Sequence, residues 1–458
     1  MSQTMEKLAK MSEADYTHFI RIAFGHTAPM SVQYDGLEPV EFTDPTLNNS
    51  QKEAIRFALA SRDIVLIHGP PGTGKTHTLI ELIVQMVRRK LRVLVCGPSN
   101  VSVDNIVERL APKKIPVIRI GHPARLLPSV LEHSLEVLTH TSDAASIVKD
   151  VRQEIDQKQA SIRKTRSGRE RRAIYNDLKD LRREFRERES KCVENLVGES
   201  NVVLATLHGA GGHQLRNQRF DVVVIDEASQ ALEAQCWIPL LSAKKVVLAG
   251  DHLQLPPTVK SSMLKSKDAR TKSKSKEDGQ EDTAQAGDKT MKGVSLETTL
   301  FDRLLGLHGP GIKRMLTTQY RMHEEIMRFP SDELYESKLM AAEAVKSRLL
   351  EDLPYDVQAT DDTKEPIVFW DTQGGDFPEK TEDSDIGKKE GLLGESKSND
   401  MEALVAARQV ENLVQAGVHP EDIAVITPYN GQLALLSQLL REKYPGIELG
   451  SVDGFQGR

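Results

Sequence analysis

Short, almost uninterrupted apolar runs recur along the first 250 residues, with stretches of helix-forming residues between them. The six runs are "DIVLI" (63–67), "RVLVC" (92–96), "PVIRI" (116–120), "NVVLAT" (201–206), "DVVVID" (221–226) and "KVVLAG" (245–250). Continuous apolar runs of this length are typical of parallel strands that are covered on both faces. Helices between such strands predict a right-handed, doubly wound α/β sheet.

The same pattern resumes after about residue 312. The later apolar runs are "PIVFWD" (366–371), "DIAVITP" (422–428) and "IELGSVD" (447–453). They predict strands of a second α/β domain. We therefore expect an N-terminal helical segment over 1–43, a first domain over 44–311 and a second domain over 312–458.

Two inserts interrupt the first domain. In the first, over about 125–195, apolar residues recur at helical spacing on both sides of "TRSG" (165–168), which predicts an antiparallel helical hairpin. Its turn collects six cations, namely Arg163, Lys164, Arg166, Arg169, Arg171 and Arg172. A cluster of this kind can bind phosphates, or it can simply form a solvated helix tip, and the sequence leaves both open.

The second insert covers about 260–293. It mixes charges freely and contains no aromatic or β-branched aliphatic residue. Segments of this composition cannot bury enough apolar surface to fold, so we expect a disordered loop.

Composition narrows the class of protein. The chain has 458 residues, 39% of them hydrophobic, which predicts a globular protein of several domains. A net charge of −6 means that any nucleic-acid binding must come from local basic patches. The three scattered cysteines argue against a disulfide framework or a zinc site, and no apolar run is long enough to predict a membrane span or a signal peptide.

The run at 63–67 leads into "HGPPGTGKT", which matches the phosphate-binding pattern G-x-x-x-x-G-K-[ST]. Glycines allow backbone N–H groups to turn inward on a phosphate chain, and the helix that follows directs its positive end to the same anion. Lys75 would contact the outer phosphates, and the Thr76 hydroxyl suits Mg²⁺. We expect ATP to contact the whole loop, which consists of Gly69, Pro70, Pro71, Gly72, Thr73, Gly74, Lys75 and Thr76.

A second motif, "VVVIDEASQ", ends an apolar strand in two adjacent carboxylates. Asp226 can hold Mg²⁺ through water, and Glu227 can polarise the attacking water. Adjacent acids favour hydrolysis over a simple phosphotransfer kinase. The two motifs together predict an ATPase.

Five further motifs follow the order of a known family. They are "LNNSQKEAI" (47–55), "GPSNVSVDN" (97–105), "GDHLQLPP" (250–257), "TTQYRMH" (317–323) and "SVDGFQGR" (451–458). The series resembles that of the superfamily 1 helicases, in particular the branch of the nonsense-mediated-decay helicase. "IRIGHPARLLPSVLEHSLE" (118–136) and "CWIPLL" (236–241) narrow the resemblance to the immunoglobulin mu-binding and polymerase-associated helicases of that branch. It covers nearly the whole chain.

The resemblance implies an α/β fold of two RecA-like P-loop NTPase domains with parallel sheets, the second of them incomplete. It also implies ATP and Mg²⁺ as cofactors. Gln51 would read the adenine edge and Tyr320 would stack on the base. Gln254 would sense the γ-phosphate, and Arg321 would stabilise charge on the transferring phosphoryl group.

In this family a single strand of DNA or RNA lies across both domains and moves 5′ to 3′ relative to the protein. The matching positions for contacts to its backbone are Pro98, Ser99, Asn100, Thr206 and Gln456. Such contacts position the strand and carry no sequence code. The resemblance also implies replication or ribosome-associated protein partners, no membrane partner, and a cytoplasmic or nuclear location.

Two departures from the family pattern leave alternatives open. Only 68 residues precede the phosphate loop, which is too few for the family's β-barrel domain, and the sequence ends within "VDGFQGR", before the final arginine-bearing motif. The chain thus resembles either the motor core of a helicase or a nucleotide- and nucleic-acid-binding fragment without efficient turnover. A protein-remodelling ATPase is a third interpretation, which the "QYR" and "VDGFQG" motifs oppose.

Overall fold

The structure, a computed structural model, describes residues 1–30, 32, 39–141, 143–164, 167–258, 296–381 and 397–455. The chain divides into two compact units. Unit 1 consists of Met1–Thr258 and Met291–Leu316, and unit 2 of Val259–Thr290 and Thr317–Arg458. The predicted disordered loop at 260–293 and the predicted contact residue Gln456 lie outside the described residues.

Unit 1 is built on one seven-stranded sheet in which every pairing is parallel. Its strands are β1 (Ile64–His68), β2 (Val93–Gly97), β3 (Val117–Ile120), β4 (Val202–Thr206), β5 (Phe220–Ile225), β6 (Ala243–Gly250) and β7 (Lys313–Met315). Their order across the sheet is β3-β4-β2-β5-β6-β1-β7. The six apolar runs of the sequence are confirmed as strands.

Helices cover both faces of this sheet. Those of unit 1 are α1 (Ser2–Lys10), α2 (His18–Ala23), α3 (Asn49–Ala60), α4 (Lys75–Arg88), α5 (Asn100–Leu110), α6 (Leu135–Thr141), α7 (Asp143–Lys164), α8 (Gly168–Glu199), α9 (Glu233–Leu240) and α10 (Leu300–His308). Successive side chains of a strand point to opposite faces, so each strand divides its residues between two cores. Val65 and Ile67 pack with α3, α4 and α5, whereas Ile64 and Leu66 pack with α2, α9 and α10.

The hairpin insert is confirmed as α7 and α8. A small apolar cluster of Val151, Ile155 and Leu178 holds the two helices together, and Ile174 and Phe185 pack against it. Ser167 caps α8, since its hydroxyl accepts a hydrogen bond from the Glu170 N–H. The cluster is small, so the hairpin is a thin extension of the sheet domain.

Two boundaries differ from those predicted. β7 pairs with β1 of the same sheet, so unit 1 continues to Leu316, beyond the predicted limit at residue 311. Within the predicted N-terminal segment, Phe19, Ile20 and Ile22 are buried in a core of unit 1. That segment is therefore part of the sheet domain.

Unit 2 contains shorter elements. Its strands are β8 (Thr318–Gln319), β9 (Met340–Ala341), β10 (Lys380–Thr381), β11 (Lys397–Ser398), β12 (Ala424–Thr427) and β13 (Glu448–Ser451). Its helices are α11 (Glu324–Leu334), α12 (Glu343–Lys346), α13 (Asp361–Lys364), α14 (Asp400–Gln415), α15 (Asn430–Leu440) and α16 (Val452–Phe455). The described strands pair as β8 with β9, β10 with β11, and β12 with β13, and their core lies around α14 and α15.

One strand expectation for unit 2 is wrong and two are confirmed. "PIVFWD" (366–371) is not a strand but irregular backbone, with Phe369 85% and Trp370 58% exposed. "DIAVITP" and "IELGSVD" form β12 and β13, which pair in parallel, and Ile426 of β12 is 50% exposed. Pairing with a neighbouring strand thus distinguishes β12 from the equally apolar run at 366–371, which pairs with no strand among the described residues.

No helix among the described residues is long and apolar enough to cross a membrane.

Candidate nucleotide site

The predicted phosphate loop connects the end of β1 to the start of α4. Gly72 and Gly74 adopt left-handed backbone conformations, with φ of 73° and 75°. A Cβ atom on Gly74 would lie 2.6 Å from the Gln51 Nε2 atom, and one on Gly69 would lie 2.9 Å from the Lys75 Cβ atom. Only glycine fits these two positions, so the loop keeps a narrow backbone cradle free of side chains.

Gln51 joins α3 to this loop. Its Oε1 accepts a hydrogen bond from the Asn48 N–H at 3.0 Å, and its Nε2 donates to the Thr73 carbonyl at 3.1 Å. The Thr73 hydroxyl in turn donates to the Pro70 carbonyl at 2.7 Å. Gln51 is 3% exposed, so the side chain that we expect at the adenine edge also fixes the shape of the loop.

Lys75 and the acidic pair meet at the carboxyl end of the sheet. The Lys75 Nζ atom lies 2.6 Å from Glu227 Oε1, and the two side chains are only 11% and 17% exposed. Glu227 has a left-handed φ of 52°, and its Oε2 accepts a hydrogen bond from Gln230 Nε2 at 2.9 Å. The structure thus brings both predicted motifs together and adds Gln230, which the sequence did not single out.

Burial and neighbouring charges both shift the pKa values of this cluster. Burial lowers the pKa of Lys75, but the charges of Glu227, Asp226 and Asp251 outweigh it, so the pKa lies above its usual value. Burial raises the pKa of Asp226 to about 6, with Lys75 opposing the rise and Glu227 adding to it. A buried carboxylate that is costly to ionise favours a bound cation.

The remaining donors suit a magnesium ion. Thr76 is half-buried in the first turn of α4, and Asp226 follows β5 directly, so both offer oxygen atoms where the phosphate loop ends. Mg²⁺ prefers one or two such oxygens and keeps the rest of its shell for water and phosphate. The cradle that a Cβ would fill and this all-oxygen donor set together fit a Mg·nucleotide complex.

Asp251 links three parts of the site. Its Oδ1 accepts a hydrogen bond from His68 Nε2 at 2.9 Å, and its Oδ2 accepts one from Gln254 Nε2 at 2.8 Å. Its N–H donates to the Ser229 hydroxyl at 2.9 Å. His68 ends β1 and Ser229 follows the acidic pair, so Asp251 connects Gln254 to the phosphate-loop motif and to the acidic-pair motif. The sequence did not single out Asp251 or His68.

In unit 2, Gln319 shapes the "QYR" turn. This fully buried side chain accepts hydrogen bonds at Oε1 from the N–H groups of Arg321 and Met322, at 2.8 and 2.7 Å, and donates from Nε2 to the Met322 carbonyl. Tyr320 is 45% exposed and Arg321 is exposed as well. The turn therefore directs both predicted nucleotide contacts toward the surface of unit 2.

Two of the predicted nucleic-acid contacts line one large cavity. Asn100 and Thr206 border a space of about 930 Å³ at the carboxyl ends of β3 and β4. Asn100 Oδ1 accepts a hydrogen bond from Arg119 Nη2 at 2.9 Å, and the fully buried Arg119 is held by Asp104 at 2.6 Å. Ser99 caps α5 and Pro98 precedes it, which places both beside Asn100. Arg119 was missed, although a charge inside the apolar run "PVIRI" could have revealed it.

Comparison with known proteins identifies relatives of this chain. Two family models, both described as "AAA domain", match residues 46–262 and 296–458. The "DNA polymerase alpha-associated DNA helicase A" of Schizosaccharomyces pombe is 47% identical over 431 residues, covering 94% of this chain and 60% of that protein. The "DNA-binding protein SMUBP-2" of Mesocricetus auratus is 42% identical, covering 100% of this chain and 43% of that protein. A "Regulator of nonsense transcripts 1 homolog" of Neurospora crassa is 33% identical, covering 90% of this chain and 33% of that protein.

This chain belongs to the superfamily 1 helicases. Its relatives place it in the branch that the motif order indicated. The chain spans about half the length of the curated relatives it matches, 60% of the first and 43% of the second. The activities, substrates and partners of those longer helicases are therefore matters of proposal for this chain.

The sequence motifs predicted only part of this site. They predicted Lys75, Asp226 and Glu227, which the structure brings together. They did not predict the buried residues Asp251 and Gln319, which hold Gln254 and the "QYR" turn in place. A carboxylate beside Gln254 in "GDHLQ" and a glutamine beside Tyr320 in "QYR" were the signals available.

Proposed function

We propose that this chain is the motor core of an ATP-dependent helicase, which hydrolyses ATP in order to move along a single strand of DNA or RNA. The observation that carries the proposal is the meeting of Lys75 and Glu227, 2.6 Å apart, between the phosphate loop and the end of β5. A purely structural ion pair would not need a side-chain-free cradle next to it.

Each residue of the site has a role in this proposal. Lys75 exchanges its contact with Glu227 for the outer phosphates of ATP, which frees the carboxylate. Glu227 then orients the attacking water and accepts its proton at Oε1 or Oε2. Thr76 and Asp226 would hold Mg²⁺, which neutralises phosphate charge when bound. The N–H groups of the loop and the start of α4 bind the phosphate chain.

Four other residues complete the nucleotide site in this proposal. Gln51 contacts the adenine edge, with an orientation that its bond to the Thr73 carbonyl already fixes. Tyr320 stacks on the base, and Arg321 stabilises charge on the transferring phosphoryl group. Gln254 contacts the γ-phosphate from a position set by Asp251.

The single strand is assigned to the edge of unit 1 that carries Pro98, Ser99, Asn100 and Thr206. A contact from Gln456, which lies outside the described residues, rests on family resemblance alone. The cavity of about 930 Å³ and the Asn100 side chain, held by Arg119, support this assignment. Movement 5′ to 3′, replication or ribosome-associated partners, and a cytoplasmic or nuclear location rest on family resemblance. The name of the fission yeast relative associates that protein with DNA polymerase alpha.

The test is ATP turnover by this chain with and without single-stranded DNA or RNA. We expect stimulation by the strand, and a Lys75→Ala variant that retains its folded far-UV circular dichroism spectrum but loses turnover. Binding of nucleotide and strand without turnover would support the alternative of a binding fragment. An unchanged rate in Lys75→Ala would contradict the site.

A further inference from the structure

A row of cations and one tyrosine follows a single face of α8. Its members, which we call the α8 stripe, are Arg172, Tyr175, Lys179, Arg182 and Arg186. Their spacing alternates between three and four residues, which keeps them on one side of a helix. All five are exposed, and Tyr175 is 60% exposed. The stripe extends about 21 Å at 1.5 Å per residue, long enough for several nucleotides.

Within the part of the chain that the structure describes, the side chains of the four cations of the stripe form no ion pair and no hydrogen bond. Other cations of α8 do, since Arg183 contacts Asp180 and Glu187, and Arg188 lies 2.5 Å from Glu184. Among the described residues, Arg169, Arg171 and Lys191 of α8 also form no ion pair. The stripe differs from them in its regular alignment along one face of the helix, beside a groove that Tyr175, Lys179 and Arg182 border.

One end of the stripe borders the cavity that Asn100 and Thr206 line. Arg186 lines that cavity and also a groove of about 320 Å³ on the hairpin, which Tyr175, Lys179 and Arg182 border as well. The cavity wall carries Glu189 and Glu194 beside its cations, so its own charge is mixed. A polyanion that enters the cavity would therefore gain most of its electrostatic attraction from the stripe.

We propose that the α8 stripe binds the phosphate backbone of the nucleic-acid strand where it leaves the cavity, with Tyr175 stacking on a base. The inference rests on the proposed function and extends it, because it assigns part of the strand path to the helical hairpin. Phosphate contacts from a row of flexible cations carry no sequence preference. An exposed aromatic ring between cations is the arrangement that single-strand-binding surfaces use.

The test compares two triple variants with the same change in charge. Lys179→Gln, Arg182→Gln and Arg186→Gln remove the stripe, whereas Arg183→Gln, Arg188→Gln and Lys191→Gln remove three exposed cations outside it. Binding of a labelled single-stranded oligothymidylate is measured from about 50 to 200 mM salt. Each lost phosphate contact reduces the magnitude of the slope of log affinity against log salt by about 0.7. The stripe variant lacks three cations, so the magnitude of its slope should be smaller by about two. The control should retain the slope of the unmodified chain.

Tyr175 is tested separately. We expect Tyr175→Ala to weaken binding on the order of tenfold with no change in salt slope, because stacking involves no counterion release. Tyr175→Phe keeps the ring and should restore the affinity. A phenylalanine variant as weak as the alanine variant would overturn the stacking assignment.

The outcomes separate the two proposals. Equal salt slopes in the stripe and control variants, with the unmodified chain binding well, would overturn the stripe and leave the helicase proposal intact. An unmodified chain that binds no oligonucleotide would overturn both. A stripe variant that loses slope while its ATP affinity stays unchanged supports the inference.

Discussion

The two units treat similar apolar runs differently. In unit 1 every residue of β1, from Ile64 to His68, is buried, whereas in unit 2 Ala424 and Ile426 of β12 are exposed. β1 lies between two strands and under two layers of helices, but β12 has one described partner, β13. Both strands are apolar in sequence. Their different burial therefore depends on how many neighbouring strands and helices cover them.

The same difference in burial applies to the residues proposed for the nucleotide site. Lys75 and Glu227 are held by partners inside unit 1 before any ligand arrives, so their geometry is set by the sheet. Tyr320 and Arg321 are displayed on an exposed turn, which Gln319 fixes only at the backbone. We infer that unit 1 sets the geometry of the phosphate site, and that unit 2 adds a base contact through Tyr320 and a turnover contact through Arg321.

The strongest test of this division is Arg321→Ala. Arginines that stabilise a transferring phosphoryl group are worth about 10³ to 10⁵ in turnover, so we expect a loss of this size with nucleotide affinity retained. ATP turnover and fluorescent-nucleotide binding measure the two effects. Arg328→Ala, an exposed arginine of the same unit, is the matched control and should change neither.

Glu227→Gln tests the unit 1 side. Removing the base should lower turnover by about 10² to 10⁴. Mg·ATP should still bind, because Lys75, Thr76 and Asp226 remain. Affinity is measured by titration with a slowly hydrolysed analogue. If the affinity falls as far as in Lys75→Ala, the carboxylate has a binding role and the assignment is wrong.

The contrast in burial predicts unequal costs for truncating apolar side chains. Leu66→Ala empties a fully buried position of β1 and should lower the free energy of unfolding by about 2 to 5 kcal/mol. Ile426→Ala, at a half-exposed position of β12, should cost about 1 kcal/mol or less. Fluorescence of the buried Trp237 reports the unfolding of unit 1 in urea, and far-UV circular dichroism follows the unfolding of both units. Equal costs would mean that β12 is covered in solution.

The smallest expected effect concerns the exposed segment at 366–371. Replacing Phe369 and Trp370 by serine removes rings that are 85% and 58% exposed, so unfolding should change by no more than about 0.5 kcal/mol. Binding of a hydrophobic fluorescent dye should fall, because exposed apolar patches are what such dyes detect. A large loss of stability would show that the rings are buried in solution.

The sequence predicted the architecture of unit 1 well, because its strands are apolar on both faces and alternate with amphipathic helices. The phosphate loop and the acidic pair were predicted for a related reason, since phosphate and metal chemistry restrict residue types closely. The strand prediction at 366–371 failed because apolar composition does not reveal which partners are present. Hydrophobic pattern reports what a segment could bury, and tertiary neighbours decide what it does bury.

Sequence motifs could not predict the residues that hold the site residues in place. His68 and Asp251 are distant in the sequence, and their contact depends on β1 and β6 lying side by side. Arg119 and Asp104 likewise meet only because β3 lies beside α5. Pairings of this kind need the strand order, which no local pattern encodes. The nucleotide and metal contacts of the site residues in both units, and all of the contacts proposed for nucleic acid, remain predictions.

The strand order also has a consequence for how the chain is made. β1 emerges from the ribosome long before its two sheet partners, which are β6, beginning at Ala243, and β7, beginning at Lys313. At about 5 to 20 residues per second, the strand that carries the phosphate loop waits for roughly ten seconds or more before either partner exists. During that time an apolar strand lacks both neighbours, and it offers a binding site to chaperones. The strand that leads into the phosphate loop is thus synthesised well before β6 and β7, and its place in the sheet is completed only when they are available.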